Sequence, residues 1–274
     1  MAGLPIYVGQ TQGIWAKHGL DVQYTAVGDI GTLIPALGTT FDTVVSTQTL
    51  LISAVNNHVD VSEIAGGVID TQENSVTSLL VGKGTGITDV SQLKGKTIGA
   101  LSLSGTINVA TLYWLSKNGV NPSDVKVVQV ATNNQADQLA SGKIQAVESS
   151  PPFQATMLAA GATSLGNPEL QVGSPISQVI WVSQNSWISA HPDAVKNYVA
   201  ALTEIDQFIK DNPDKLSTDI ANLTKLPANL LTDVKVPTYS VDPRTDDFAK
   251  WAAAMKVANG FAGTVDTSKL VSAG

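Results

Sequence analysis

The sequence predicts an α/β protein of two lobes, and three observations carry that prediction. Strand-like and helix-like segments alternate through the first two thirds of the 274 residues, the pattern that yields helix-covered sheets with largely parallel strands. Two stretches break the alternation: Gly82 to Ser91, rich in glycine, threonine and aspartate, and Leu170 to Ser177, with Gly173 and Pro175. Long amphipathic helices then dominate the final third. Two crossings imply that a middle segment folds as its own lobe while both ends of the chain build the other. The expected division is 1–86 with 178–274 as lobe 1 and 87–177 as lobe 2.

Element by element, Ile14 to His18 read as a short helix stopped at Gly19, and Leu20 to Ala26 as a strand. Ile30 to Leu37 look helical, Thr43 to Val45 form a strand, and Thr49 to Asn56 form a helix burying Leu50, Leu51, Ala54 and Val55. Val61 to Gly66 and Val76 to Val81 are further strands. Thr97 to Leu101 give a strand, followed by a helix on which Ile107, Ala110, Trp114 and Leu115 recur at helical spacing. Val125 to Val130 form a strand, Gln135 to Ser141 a helix ending at Gly142, and Ala146 to Glu148 a short strand leading into Ser149-Ser150-Pro151-Pro152. Gln178 to Ser183 return as a strand. Val195, Val199, Leu202, Ile205 and Ile209 then share a helix face, with Pro192 in its first turn and Asn212-Pro213 at its end. Asp242 and Pro243 open another helix as cap and first position, with Phe248, Trp251, Ala252 and Met255 on its apolar face before Gly260. Such stripes read as core.

The most informative stretch is Leu93 to Leu115, a strand, a Ser/Gly/Thr loop and a helix in succession. Ser102 to Thr106 therefore sit at a helix N-terminus, where unpaired N–H groups and the helix dipole favour an electron-rich ligand atom. Gly105 permits close approach to the main chain. Ser104 or Thr106 can equally serve as a helix cap. The glycine and lysine spacing of a P-loop is missing, and no GxGxxG follows a strand, which disfavours nucleotide chemistry.

Composition narrows the function classes. Net charge is −7, and Arg244 is the sole arginine, so the sequence carries no electrostatic footprint for nucleic acid. There are no cysteines, which removes thiol catalysis, thiolate zinc sites and disulfides together. His18, His58 and His191 stand far apart, without metal-ligand spacing, and fit surface or loop positions. No cofactor is expected. No window approaches the ~20 apolar residues of a transmembrane helix. The first residues lack the basic-then-apolar layout of a signal peptide.

With these segments in place, the chain resembles the substrate-binding proteins of bacterial ABC importers for nitrate, aliphatic sulfonates, taurine and thiamine-pyrimidine precursors, the NMT1-like family. Pro5 to Val22, PIYVGQTQGIWAKHGLDV, resembles the family's opening "P-L-Y-V-A, then G-F-F-x-K-x-G-L-D-V". Phe41-Asp42 leading to Ser46-Thr47-Gln48 resembles its "D-V-A" strand and the helix start after it. Ser91 to Gly99 resembles "L-K-G-K-x-I-A-V", and Gly142 to Phe153 resembles "G-x-V-D-A, then P-Y". The resemblance implies a two-lobed periplasmic-binding-protein fold of the second type, enclosing one small ligand as the lobes close. Carried over by position, the ligand shell would draw on Gln10, Thr11, Ser46, Thr47, Gln48, Asp70, Thr71, Ser104, Gly105, Thr106, Glu148, Ser149, Ser150 and Pro151. It also implies an ABC permease as partner, a monomer, and a place in the periplasm or on the outer cell surface.

The chain departs from the family pattern in two ways. Gln145 stands where the family has aspartate, and no arginine falls in a cleft segment, so main-chain amides and hydroxyls would hold an anion in place of a formal cation. Glu148 either pairs with an amine of the ligand or stands as an exposed strand-end residue; Phe153 and Trp181 either stack on a planar ligand or belong to the core. The second departure is at the start, where Met1 to Leu4 stand in place of the family's first strand, "V-R-V-G-Y". The expectation is a start codon assigned too far downstream, with an export signal and that strand encoded before it; a chain starting at Met1 would be poorly stable and unexported.

Three functions compete. The leading one is a solute receptor that performs no catalysis and delivers a small polar or anionic ligand to a permease. An enzyme of the same fold acting on a pyrimidine or menaquinone precursor is the alternative. The fungal pyrimidine synthases carry a cysteine-rich motif that a chain without cysteine lacks, and no nucleophile, base and orienting acid fall at local spacing. A regulator's sensory half is the third, although 274 residues leave no room for a helix-turn-helix domain beside this fold.

Overall fold

The computed structural model describes residues 1–27, 29–226, 231 and 234–272. In chain order its elements are α1 (Leu4–Thr11), α2 (Ile14–Lys17), β1 (Thr43–Ser46), α3 (Gln48–Asn56), β2 (Val61–Gly66), β3 (Val68–Asp70), β4 (Ser78–Val81), β5 (Thr97–Ala100), α4 (Thr106–Lys117), β6 (Lys126–Gln129) and α5 (Thr132–Ala140). There follow β7 (Ala146–Ser149), α6 (Gln154–Ala159), β8 (Thr163–Gly166), β9 (Ile176–Ser177), β10 (Ile180–Gln184), α7 (Asn185–Ala190), α8 (Pro192–Asp211), α9 (Leu216–Thr224), β11 (Thr238–Tyr239), α10 (Thr245–Asn259) and α11 (Thr267–Leu270).

One sheet has the order β1-β10-β2, a small one β11-β3-β9, and a five-stranded one β6-β5-β7-β4-β8. The expectation of largely parallel strands is corrected. Among the described residues, only the β5–β6 and β5–β7 ladders run parallel, with α4 leading from β5 to β6 and α5 from β6 to β7. The returning strand β10 inserts between β1 and β2, antiparallel to both, and β4 runs against β7 and β8. Because β4 already belongs to the five-stranded sheet, the outgoing crossing lies before Ser78, upstream of Gly82–Ser91.

Packing explains the remaining differences. Leu20–Ala26 forms no strand: Leu20 N donates back to the Trp15 carbonyl at 2.9 Å, and among the described residues β1 pairs with β10 and not with this segment. Pro35 breaks Ile30–Leu37 into two 3-10 turns, Ile30–Thr32 and Ile34–Ala36. The strand expected at Gln178–Ser183 splits because the Val68 carbonyl accepts from both Gln178 N and Val179 N, at 2.9 and 3.2 Å. Helix α10 opens at Thr245, later than the expected Asp242-Pro243, because Arg244 is still non-helical; Asp246 and Asp247 occupy its first turn and Gly260 stops it at φ +75°.

Two cores pack around the first sheet. One joins α3 and α10 through Leu51, Ile52, Phe248 and Trp251; the other joins α1, α2 and α8 through Leu4, Trp15, Leu202 and Ile205. The five-stranded sheet has its own cores, around Leu79, Leu93, Ile98 and Leu115 on one side and Leu80, Ile144, Val147 and Met157 on the other. Gly99 in β5 packs closely there: a Cβ would stand 2.8 Å from Ile144 Cδ1, so a larger residue would push the Ile144 side chain aside.

Candidate functional site

Between the first sheet and the five-stranded sheet lies a cavity of about 660 Å³, a size suited to a small organic molecule. One side is apolar, with Leu33, Phe41, Val45, Trp181 and Tyr198. The other is polar, with Ser102, Thr106, Asn108, Glu148, Ser150 and Gln178.

Helix α4 supplies the floor. Gly105 is its N-cap and contributes no side-chain bond, so neither Ser104 nor Thr106 caps the helix. Thr106 Oγ1 instead donates to the Gln178 carbonyl at 3.4 Å, and the Ser104 carbonyl accepts from Thr49 Oγ1 at 2.9 Å. The first-turn N–H groups therefore carry no side-chain cap and form an electropositive end at the cavity. The Ser102 hydroxyl stands beside them, with Ser102 Cβ 3.3 Å from where a Cβ on Gly105 would lie.

Glu148 faces the cavity from β7, an inner strand flanked by β5 and β4. It is only 1 % exposed, and neither carboxylate oxygen has a hydrogen-bond partner. Burial pushes its pKa up to about 8, against a smaller downward pull from the Thr111 hydroxyl. The exposed strand-end alternative is thereby excluded. Asn108, in the first turn of α4, is 3 % exposed; its Nδ2 donates to the Leu103 carbonyl at 2.8 Å, leaving Oδ1 buried without a partner.

Of the residues expected in the ligand shell, the cavity brings together Thr47, Gly105, Thr106, Glu148, Ser150 and Pro151. The others are engaged elsewhere. Gln10 donates to the Val22 carbonyl at 2.9 Å and Thr11 to the Val8 carbonyl at 3.2 Å, both at the surface end of α1. Ser46, the last residue of β1, is buried off the cavity, and Gln48 Nε2 reaches the Arg244 carbonyl at 3.1 Å. Asp70 is consumed by Val76 N and Asn167 Nδ2, at 3.0 and 2.8 Å, while Thr71 Oγ1 accepts from Asn74 N at 2.9 Å. Ser104 lies off the cavity, and Ser149 Oγ bonds Gln135 Oε1 at 3.1 Å. Gln145 is likewise held in the framework, where its Oε1 accepts from Thr97 N at 3.0 Å and its Nε2 donates to the Gly142 carbonyl at 2.7 Å.

Phe153 and Trp181 both line the cavity, and Trp181 meets Tyr198 edge-on at 5.8 Å. Asn108 and Gln178 were missed by sequence reasoning. Asn108 had a usable signal, its place in the first helical turn directly after the Ser102–Thr106 loop; Gln178 had none, since a break between β9 and β10 brings it to the site. Arg244 is withdrawn to Asp247 and Pro175, and among the described residues no lysine, arginine or histidine lines the cavity. Nor, among those residues, does any cluster of three His, Cys, Asp or Glu form a metal site, and no helix is long and apolar enough to cross a membrane.

The family model described as NMT1/THI5 like matches residues 2–216. A 4-amino-5-hydroxymethyl-2-methylpyrimidine phosphate synthase of Schizosaccharomyces pombe is 25% identical over 214 residues, covering 73% of this chain and 59% of its own length. The chain thus spans less than two thirds of that relative. Among solved structures, the periplasmic nitrate-binding protein NrtA from Synechocystis PCC 6803 superposes with a TM-score of 0.83 at 14% identity, over 98% of this chain and 83% of its own. The alkanesulfonate-binding protein SsuA from Xanthomonas axonopodis pv. citri, bound to MOPS, superposes with a TM-score of 0.80 at 17% identity, over 94% and 91%. These likenesses establish the two-lobed periplasmic-binding-protein fold.

Proposed function

Because the chain belongs to the NMT1/THI5-like family, we propose that it is an extracytoplasmic solute-binding protein that captures one small polar or anionic organic molecule and passes it to an ABC permease. The observation that carries this reading is the cavity of about 660 Å³ that joins the uncapped N-terminus of α4 to an apolar wall from the other sheet. Such a cavity binds by enclosure. The ligand's electron-rich end would rest on the first-turn amides of α4 with the Ser102 hydroxyl, and its body against Phe41 and Trp181. Closure would pivot on the two crossings, Thr71–Thr77 and Asn167–Pro175. That makes residues 1–70 with 176–274 one lobe and 78–166 the other.

The test is a thermal-shift screen of the folded protein with nitrate, alkanesulfonates, taurine, aminopyrimidines and aromatic acids. A rise in melting temperature with at least one class is expected; no shift with any of them overturns the reading. A second reading, an enzyme acting on a pyrimidine precursor, draws on the 25% identity to the fungal synthase. Chemical conversion of a bound ligand by the purified protein would decide for it.

A further inference from the structure

The polar wall of the cavity is rich in acceptors and short of donors. Three buried oxygens on two residues lack any partner: both carboxylate oxygens of Glu148 and Oδ1 of Asn108. They do not satisfy one another, for each is without a hydrogen bond within reach. Nor can the Asn108 amide be turned over to help, because its Nδ2 is already committed to the Leu103 carbonyl at 2.8 Å. Buried acceptors left without donors are costly. Two such residues, each less than 4 % exposed and both facing one cavity, describe half of a binding site.

We propose that this site selects a ligand carrying a cationic, N–H-rich nitrogen, a primary ammonium or amidinium, which Glu148 and Asn108 receive while the α4 N-terminus holds an electron-rich group at the ligand's other end. The donor count decides the chemistry. A primary ammonium offers three N–H donors and no acceptor, which suits three unpartnered oxygens; a hydroxyl offers a single donor and brings acceptors of its own. Charge points the same way: among the described residues no lysine, arginine or histidine side chain lines the cavity, and burial lowers the pKa of the Met1 amine to about 6, so the ligand is left to supply the positive partner for a buried carboxylate. The two ends of the site are of opposite character, an acidic pair and an electropositive helix terminus, and a zwitterion or an aminopyrimidine matches both. This inference rests on the reading of the cavity as a solute site.

The experiment is calorimetric titration of the unmodified protein with two matched pairs, 2-aminoethanesulfonate against 2-hydroxyethanesulfonate and 4-amino-2-methylpyrimidine against 4-hydroxy-2-methylpyrimidine, repeated on Glu148→Gln and Asn108→Leu. In at least one pair the amine should bind tenfold or more tightly than its hydroxyl analogue. Glu148→Gln, checked for folding by its melting curve, should reduce that preference to within about twofold, and Asn108→Leu should weaken the amine more than the hydroxyl compound. Because the matched pairs are first read on the unmodified protein, a variant that fails to fold does not spare the proposal. Equal or tighter binding of the hydroxyl analogues overturns the nitrogen selectivity and leaves the solute-binding reading standing. Undiminished preference in a folded Glu148→Gln overturns the role of Glu148. Binding of nitrate or a simple alkanesulfonate with none of the four compounds overturns this inference alone, whereas no binding by any compound of the wider screen removes both.

Discussion

Asn167 Nδ2 donates to Asp70 Oδ2 at 2.8 Å, and this one bond ties the end of β3 to the residue that follows β8. The same Nδ2 reaches Ser75 Oγ at 3.0 Å, and nearby Glu169 Oε2 accepts from Thr77 Oγ1 at 2.9 Å and Gln178 Nε2 at 2.7 Å. Both chain crossings thus meet in a buried polar network. Asp70→Ala would leave Val76 N without an acceptor and Asn167 Nδ2 with Ser75 Oγ alone, at a cost of about 1–3 kcal/mol in unfolding free energy. Urea denaturation measures it. Loss of ligand binding by a variant of unchanged stability would return Asp70 to the ligand shell.

Gly9 sits inside α1 where the helix meets α2 and α8. A Cβ there would fall 2.6 Å from Ile205 Cδ1 and closer still to Trp15 Nε1, which donates to the Ile6 carbonyl at 3.1 Å. Gly9→Ala should therefore destabilise by about 1–3 kcal/mol through overpacking, although alanine is intrinsically the better helix former by about 1 kcal/mol. An unchanged or raised denaturation midpoint would show that the α1–α8 contact yields to the extra methyl.

What the sequence made legible follows from how local each signal is. The strand, loop and helix from Thr97 to Lys117 could be read directly, because strand composition, loop residues and helical periodicity are all local. Glu148 was legible as a cleft residue, but its burial was not, since that depends on β5, β4 and α4 closing around β7 from distant parts of the chain. Strand direction was illegible for the same reason: β10 carries the same apolar content whichever way it runs. Asp70, at the end of a strand, has the position of a ligand residue, and only the meeting of two crossings reveals that its oxygens are already taken. Leu20–Ala26 has strand composition without a strand's neighbour, so its propensity finds no ladder.

Arg244 is a structural cation. Its Nε donates to Asp247 Oδ2 at 2.6 Å, its Nη2 reaches the Pro175 carbonyl at 3.2 Å, and Asp247 also accepts from Ser177 N at 2.9 Å and Lys250 Nζ at 2.7 Å. Asp247 is fully buried, whereas the Lys250 side chain is 41% exposed. Asp247→Ala should cost about 3–5 kcal/mol, because it strands both Arg244 and a buried backbone N–H. Lys250→Ala should cost under about 1 kcal/mol, as for exposed pairs. Equal losses in the two variants would contradict the assignment.

Glu63 sets a pH dependence of stability. It is fully buried on β2 with both carboxylate oxygens unpartnered. Burial raises its pKa from 4.5 to about 8; the nearby Gln48 side-chain amide opposes this, and the Asp247 charge adds to it. Between pH 4.5 and 8 the native state keeps a proton that the unfolded chain has already released, so stability is greatest below 4.5, falls as pH rises through this window, and levels off above 8. Glu148, raised to about 8, and Asp206, raised to about 7, act with the same sign. Glu63→Gln removes the titration while keeping the shape of the side chain. It should match the parent protein near pH 4.5 and exceed it by an amount on the order of a few kcal/mol at pH 8. Denaturant melts at those two pH values decide the matter, and a stability difference that does not grow with pH would mean that Glu63 is ionised in the native protein.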